Sequence, residues 1–238
     1  MKKHILLKLT PFYILIISCF MLITIFGDRA VTVSRLNSLT HLGRPVIIDA
    51  GHGGEDGGAT SCTGVLESQI NLEISLKLND LLRLLGIKTV MIRTDDRSVY
   101  TQGTTIAQKK VSDLRERVRI VNEAQNPILI SIHQNYFSNN KYSGTQVFCN
   151  QDNESVKLAK DIQSACKVNL NNQNNRKIKQ AKGIYLMENI DCTAVLIECG
   201  FLSNPEEDAK LRDTEYQKKL SSVIAVTVCN HLDRNKID

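Results

Sequence analysis

Three segments of the sequence each end an apolar run on a residue that could bind a metal or transfer a proton. They are residues 46–54 (VIIDAGHGG), 128–135 (ILISIHQN) and 194–204 (AVLIECGFLSN). These segments contain His52, His133 and Glu198, and Glu67 follows the glycine-rich loop that leaves the first of them. Two histidines and one carboxylate are a donor set of catalytic zinc sites, which leave a fourth position for water. We therefore predict that His52, Glu67 and His133 bind one Zn²⁺.

Glu198 is the candidate for proton transfer. It directly follows the apolar residues 195–197, and a carboxylate in such a run is costly to bury unless it is paired or lies near a metal. Next to a zinc site it could act as a general base towards water and then protonate a leaving nitrogen. We predict this catalytic role for Glu198.

Each of these residues also has a purely structural interpretation. The glycine-rich loop 51–58 could bind a phosphate, although it lacks the Lys-Ser/Thr pair of a P-loop and the glycine spacing of a dinucleotide site. His133 could be a core histidine, Glu198 an ion-pair partner, and Glu67 an acid favoured by a helix dipole. Their combination favours one shared site. The remaining histidines are predicted to be uninvolved: His4, His41 and His231.

The hydrophobic pattern alternates between strands and helices along the chain. Strands are predicted at residues 46–48, 89–93, 128–132, 145–149, 184–187 and 194–197, with periodic helical segments between most of them and after the last. Residues 169–180 are predicted to form a polar loop outside the core. This alternation indicates a single α/β domain with a largely parallel sheet, in which functional groups collect at the carboxyl ends of the strands.

The N-terminus is typical of an export signal. Three lysines precede an uncharged run at residues 12–26, which matches a signal-peptide core in length and is shorter than a full membrane span. We predict a signal peptide or uncleaved anchor at residues 1–27, a linker at 28–43, a catalytic domain at 44–233 and a tail at 234–238. Without cleavage, residues 5–27 would contact the membrane and the domain would lie outside it.

Charge and cysteine content narrow the classes of partner and fold. The formal net charge is +5, and three of the lysines belong to the predicted leader, so the rest of the chain is nearly neutral and nucleic acid is not an expected partner. The seven cysteines form no CxxC pair and lie mostly in apolar segments, where free cysteine behaves as a small hydrophobic residue. We expect no structural disulfide framework.

At these residues the chain resembles the zinc-dependent type 3 family of N-acetylmuramoyl-L-alanine amidases. The resemblance covers roughly residues 44–233 and rests on five motifs: residues 49–54 (DAGHGG), Glu67 with Asn71-Leu72, residues 93–96 (RTDD), 131–135 (SIHQN) and 198–204 (ECGFLSN). It implies a twisted sheet with helices on both faces, His52, Glu67 and His133 as zinc ligands, and Glu198 as the catalytic glutamate. Gln134 and Cys199 depart from the smaller or aliphatic residues expected there.

The same resemblance implies the reaction and its setting. The bond cleaved would be the amide between N-acetylmuramic acid and L-alanine of the peptidoglycan stem peptide. A single catalytic domain behind a signal is similar to the sporulation amidases of endospore formers, which act on cortex glycan before a muramic acid deacetylase helps to form muramic-δ-lactam. This implies an exported protein, secreted or anchored, at the outer face of the cytoplasmic membrane or in the forespore intermembrane space, with an activator protein as a possible partner.

Two other functions remain open from the sequence. A secreted zinc carboxypeptidase acting on the stem peptide would need an arginine to bind the terminal carboxylate, and Arg93 or Arg97 could supply it. A non-catalytic wall-binding protein would need a degenerate site, which the four site residues argue against. A basic segment (Arg176, Lys177, Lys179 and Lys182) is hypothesised to contact glycan, peptide or a partner.

Overall fold

The computed structural model describes residues 41–170 and 173–234, which form alternating strands and helices. The strands are β1 (His41–Ala50), β2 (Ile87–Met91), β3 (Ile128–Asn135), β4 (Gln146–Cys149), β5 (Lys179–Gln180) and β6 (Thr193–Phe201). The helices are α1 (Glu67–Leu84), α2 (Ile106–Glu123), α3 (Asn153–Asn169), α4 (Tyr185–Glu188), α5 (Pro205–Arg212) and α6 (Thr214–Arg234).

The strands form one sheet in the order β2-β1-β3-β6-β4-β5. All neighbours are parallel except β4 and β6, which are antiparallel. The predicted α/β class with a largely parallel sheet is therefore confirmed. Because β1, β3 and β6 are adjacent and parallel, their carboxyl ends meet at one edge of the sheet.

Helices cover both faces of the sheet, because its central strands are apolar on both sides. In β1, Val46 and Ile48 pack into a cluster with α1, α3 and α6, whereas Ile47 faces a second cluster with α2 and α4. This alternation follows from the two-residue repeat of a strand. The strands that end at the candidate site are thus held in a rigid, fully buried centre.

Local sequence signals fix where two helices begin. Thr105 and Gln108 form a reciprocal capping box at the start of α2. Asn204 caps α5 by accepting hydrogen bonds from the backbone N–H groups of Glu206 and Glu207, and Pro205 occupies the first helical position.

Two element predictions were wrong. The segment 184–187, predicted as a strand, forms the short helix α4 instead. Its two buried residues, Leu186 and Met187, are consecutive, and a hydrogen bond from the Gly183 backbone N–H to the Glu188 carboxylate closes the turn. The segment 169–180, predicted as a polar loop outside the core, ends in strand β5, and its Asn174 is buried and donates to the Thr145 carbonyl.

The six cysteines of the described residues are all free thiols. Within the same residues, no helix has both the length and the apolar character needed to cross a bilayer. The predicted leader (1–27) and most of the predicted linker lie outside the described residues, as does the tail except Arg234. β1 begins at His41, three residues before the predicted start of the domain.

Candidate metal centre

The predicted site residues lie at the carboxyl ends of three neighbouring strands. His52 follows the last residue of β1 by two positions, His133 lies near the end of β3, and Glu198 lies opposite His133 in β6. Glu67 is the first residue of α1. The topology therefore brings together residues that are far apart in the sequence.

His52, Glu67 and His133 form a compact set of metal donors. One ligand atom from each lies within 4.8 Å of the other two. The Nε2 atom of His52 is 3.3 Å from Oε2 of Glu67, and Nδ1 of His133 is 3.0 Å from Oε1 of Glu67. Donors around a tetrahedral zinc ion with Zn–N of ~2.0–2.1 Å stand about 3.3 Å apart. The residues present fit a zinc ion.

Glu67 is held rigidly by hydrogen bonds to both of its oxygens. The backbone N–H of Ala59 donates to Oε2, and the backbone N–H of Gln134 and the side-chain amide of Asn71 donate to Oε1. Burial alone would raise the pKa of Glu67, but its hydrogen bonds with His133 and His52 hold that pKa well below its usual range. Glu67 is therefore an ionised, immobile ligand candidate.

Asp56 orients His52. Its Oδ2 atom lies 3.0 Å from Nδ1 of His52 and 3.2 Å from the Lys110 ammonium group. A carboxylate that accepts from one ring nitrogen leaves the other as the metal-facing atom, an arrangement common around zinc. Burial lowers the pKa of His52, but the hydrogen bonds with Asp56 and Glu67 outweigh burial and raise it to about 9. A metal at Nε2 would compete with that proton.

Two glycines make room for the donor cluster. A Cβ atom on Gly51 would lie 2.2 Å from the ring of His133, and one on Gly58 would lie 2.7 Å from both Glu67 Oε2 and the ring of His52. Gly58 also has a φ of +70°, which favours glycine. The two imidazole rings consequently meet edge to face, with centroids 5.0 Å apart.

Glu198 presents an unsatisfied carboxylate oxygen beside this cluster. Its Oε2 atom is buried and has no hydrogen-bond partner among the described residues. Burial raises the pKa of Glu198 to about 7. The negative charge of the Glu67 carboxylate adds to this rise, and the positive charges of His133 and His52 oppose it. Buried polar atoms are rarely left without a partner, so this oxygen marks a place where water, substrate or a cation is expected.

Several residues of the site were not identified from the sequence. Asp56 lies four positions after His52, but an acid in a glycine-rich loop is a common surface feature and gave no signal. Arg117, in the middle of α2, is buried and donates to the carbonyl of His52. The two departures from the family pattern, Gln134 and Cys199, are both buried, and Gln134 donates to the side chain of Asn71.

The two arginines considered for carboxylate binding do not offer a free guanidinium to the donor cluster. Arg93 is buried and donates to four backbone carbonyls, those of Ala50, Gly51, Ser68 and Asp95. Arg97 is largely exposed and pairs with Asp95 at 3.1 Å. Arg176, from the basic segment, lies over the rings of Phe201 and Tyr142 instead of extending freely into solvent.

Comparisons with known proteins agree with this geometry. A family model described as N-acetylmuramoyl-L-alanine amidase matches residues 46–230. The germination-specific N-acetylmuramoyl-L-alanine amidase of Bacillus subtilis (strain 168) is 40% identical over 79% of this chain and 79% of its own length.

Solved structures give the same result. The structure of the CwlD amidase from Clostridioides difficile in complex with the GerS lipoprotein has a TM-score of 0.77 and 38% identity, covering 80% of this chain and 99% of that chain. An N-acetylmuramoyl-L-alanine amidase from Clostridium difficile 630 has a TM-score of 0.68 and 31% identity, covering 80% and 97%. The chain belongs to the N-acetylmuramoyl-L-alanine amidase family of enzymes.

Proposed function

We propose that this chain hydrolyses the amide between N-acetylmuramic acid and L-alanine in peptidoglycan, with one zinc ion bound by His52, Glu67 and His133. The observation that carries the proposal is the donor cluster, in which one ligand atom from each residue lies within 4.8 Å of the other two and each histidine lies 3.0–3.3 Å from an oxygen of Glu67. Membership of the amidase family supports the choice of bond.

The roles of the protein residues follow from their surroundings. When bound, zinc would supply a Lewis acid that polarises the amide carbonyl and makes water more acidic. Glu198 would accept a proton from the attacking water and pass it to the leaving nitrogen, and its burial, which raises its pKa, favours proton uptake. Asp56 would keep the Nδ1 proton on His52 and so fix the orientation of its ring.

The carboxypeptidase alternative is not favoured by the arginines considered for it. A terminal carboxylate is best bound by a free, bidentate guanidinium group. The hydrogen bonds of Arg93 go to backbone carbonyls, and Arg97 is engaged with Asp95. The donor cluster and Glu198 argue equally against a non-catalytic wall-binding protein.

We further propose that the substrate is spore-cortex peptidoglycan. The 40% identical relative from Bacillus subtilis is named a germination-specific amidase, which supports this role. In that setting, removal of stem peptides would precede the action of a muramic acid deacetylase and the formation of muramic-δ-lactam. The enzyme would work outside the cytoplasmic membrane, secreted or anchored, and in the forespore intermembrane space of an endospore former.

An activator protein is part of this proposal. The similar amidase from Clostridioides difficile was solved in complex with a lipoprotein. A lipoprotein partner would suit an enzyme that acts at a membrane surface. We propose that a protein of this kind binds this chain as well.

The decisive experiment compares the full-length chain with its Glu198→Gln variant on purified peptidoglycan with zinc, with and without the corresponding lipoprotein. Mass spectrometry should find free stem peptides that begin with L-alanine, together with peptide-free muramic acid. Loss of the general base should slow the reaction by roughly 10²–10⁴-fold, while one zinc per chain is retained.

Glu206→Gln is the matched control, because Glu206 is an exposed glutamate in the first turn of α5. It should leave the rate unchanged. Peptides shortened at their C-termini would indicate a carboxypeptidase instead. Absence of any product under both conditions would contradict the proposal.

A further inference from the structure

Two buried arginines hold the backbone that carries His52. Arg117 donates to the carbonyls of Ala50 (3.0 Å) and His52 (2.7 Å). Arg93 donates to the carbonyls of Ala50 (2.8 Å) and Gly51 (3.0 Å). Three consecutive carbonyl groups are therefore bound by two rigid guanidinium groups, which come from separate parts of the chain.

The backbone conformation of His52 explains why these hydrogen bonds from the two arginines are needed. His52 has a φ of +61°, in the left-handed region, and is one of two non-glycine residues with positive φ in the described part of the chain. That region is unfavourable for residues with a Cβ atom and persists where the surroundings over-determine it. Here it directs the ring so that Nδ1 faces Asp56 and Nε2 faces Glu67.

The charge of Arg117 is balanced within the protein, so the guanidinium is held in one orientation. Its Nη1 atom pairs with Asp49, and its Nε atom pairs with Asp113 at 2.7 Å. Asp49 is buried and also accepts a hydrogen bond from the Ser131 hydroxyl at 2.6 Å. Ser131 lies in β3 two residues before His133, so the same network joins the strands that carry both histidines.

We propose that Arg117 is a positioning residue for the metal site, which sets zinc affinity by holding His52 in its left-handed conformation. This inference rests on the proposed zinc-dependent function. Arg117 does not contact the donor atoms in the structure, and it acts through the His52 carbonyl. A residue that only stabilised the domain would affect unfolding without selectively changing the affinity for zinc.

The test is the zinc dissociation constant of the full-length Arg117→Lys variant, measured by competition with a chromophoric chelator. Lysine keeps the charge opposite Asp49 but lacks the planar fork that reaches two carbonyl groups. Zinc affinity should fall by about 10–100-fold, as is typical when a residue that supports a metal ligand is changed. The thermal unfolding temperature of the zinc-free protein provides the separate readout of structure.

Arg119→Lys is the matched control. Arg119 lies on the same helix, is half-exposed, and pairs only with Glu116 and Glu123 among the described contacts. Its substitution should leave zinc affinity unchanged. If Arg117→Lys does not fold, the double variant Asp49→Asn/Arg117→Gln removes both buried charges together and should bind zinc about 10–100-fold more weakly than Asp49→Asn alone.

Two results would overturn the inference. A folded Arg117→Lys protein that binds zinc as tightly as the wild type would show that Arg117 has only a structural role. A wild-type chain that binds no zinc would contradict the proposed function itself, and the inference with it.

Discussion

Close packing at single residues determines the geometry of the candidate metal site. Gly51 allows the His133 ring to lie against the chain immediately before His52, and Gly58 allows Glu67 and His52 to meet. The donors are therefore positioned by the absence of side chains as much as by the hydrogen bonds of Asp56 and Asn71. Adding one methyl group at Gly51 tests whether this absence of a side chain matters.

Gly51→Ala should disrupt the site. The new Cβ atom would lie 2.2 Å from the His133 ring, so the ring must move. Displacement of about 1 Å can cost 10²-fold in rate, and we expect a loss of that order in amide hydrolysis together with weaker zinc binding. Zinc titration and product analysis by mass spectrometry would measure both.

Gly64→Ala serves as the control for Gly51→Ala. A Cβ atom there meets nothing within 4 Å, although the φ of +89° makes it strained. We expect a stability loss of roughly 1–2 kcal/mol without any change in zinc affinity. Equal effects of the two substitutions on zinc binding would contradict the role assigned to Gly51.

At the scale of elements, the turn between β6 and α5 joins the loop after β3 to the sheet. Asn204 caps α5 with its Oδ1 atom, while its Nδ2 group donates to the carbonyls of Asn140 (2.9 Å) and Tyr142 (3.2 Å). Glu207 accepts hydrogen bonds from the backbone of Gly144 and Phe201. One helix start thus fixes the loop that follows the strand bearing His133.

Asn204→Ala should cost more stability than the loss of an ordinary helix cap. An N-cap contributes about 1 kcal/mol, and the two further hydrogen bonds should add roughly 1 kcal/mol. Asp152→Ala is the comparison. Asp152 caps α3, and among the described contacts its side chain accepts a hydrogen bond only from the Ser155 backbone N–H. Denaturant unfolding should rank Asn204→Ala as the more damaging change, and the reverse order would contradict this role for Asn204.

The sequence predicts the elements whose patterns are long and periodic. The α/β class and the strands at 46–48 and 128–132 follow from short, mainly apolar runs. The strand prediction for segment 184–187 is wrong because four residues are too few to distinguish the periodicity of a helix from that of a strand. The antiparallel direction of β4 has no local signature, since it depends on how the chain returns to the sheet.

The sequence predicts which potential metal donors the fold brings together. Strand ends in a parallel sheet bring His52 and His133 together, and the structure places Glu67 between them. Asp56 and Arg117 could not be predicted, because their contacts depend on the path of the loop and on the depth of α2 beside it. An aspartate in a loop and an arginine in a helix are also common on protein surfaces, where they belong to no site.

At the scale of the whole molecule, the candidate metal site links separate parts of the domain. Its donors come from the loop after β1, the start of α1 and the end of β3. An ion bound by all three would have no comparable site in the unfolded chain, so binding would add to the stability of the fold. The size of that contribution is set by the zinc concentration relative to the dissociation constant.

Chelation should therefore lower the unfolding temperature. Zinc at 1,000 times its dissociation constant stabilises a folded protein by about 4 kcal/mol, which corresponds to roughly 8–16 °C for a domain of this size. Calorimetry with and without a chelator would measure the shift, and added zinc should reverse it. An unfolding temperature that changes neither with the chelator nor with added zinc would argue against a metal bound at these three donors.

The free cysteines have a consequence for where this enzyme can fold. The six described thiols form no disulfide, so an oxidising environment adds no cross-link to the described part of the domain. We expect the same unfolding temperature in reducing and in oxidising buffer. A difference between the two would indicate a disulfide that the described structure does not contain. A reducing cytoplasm would then serve for producing the domain.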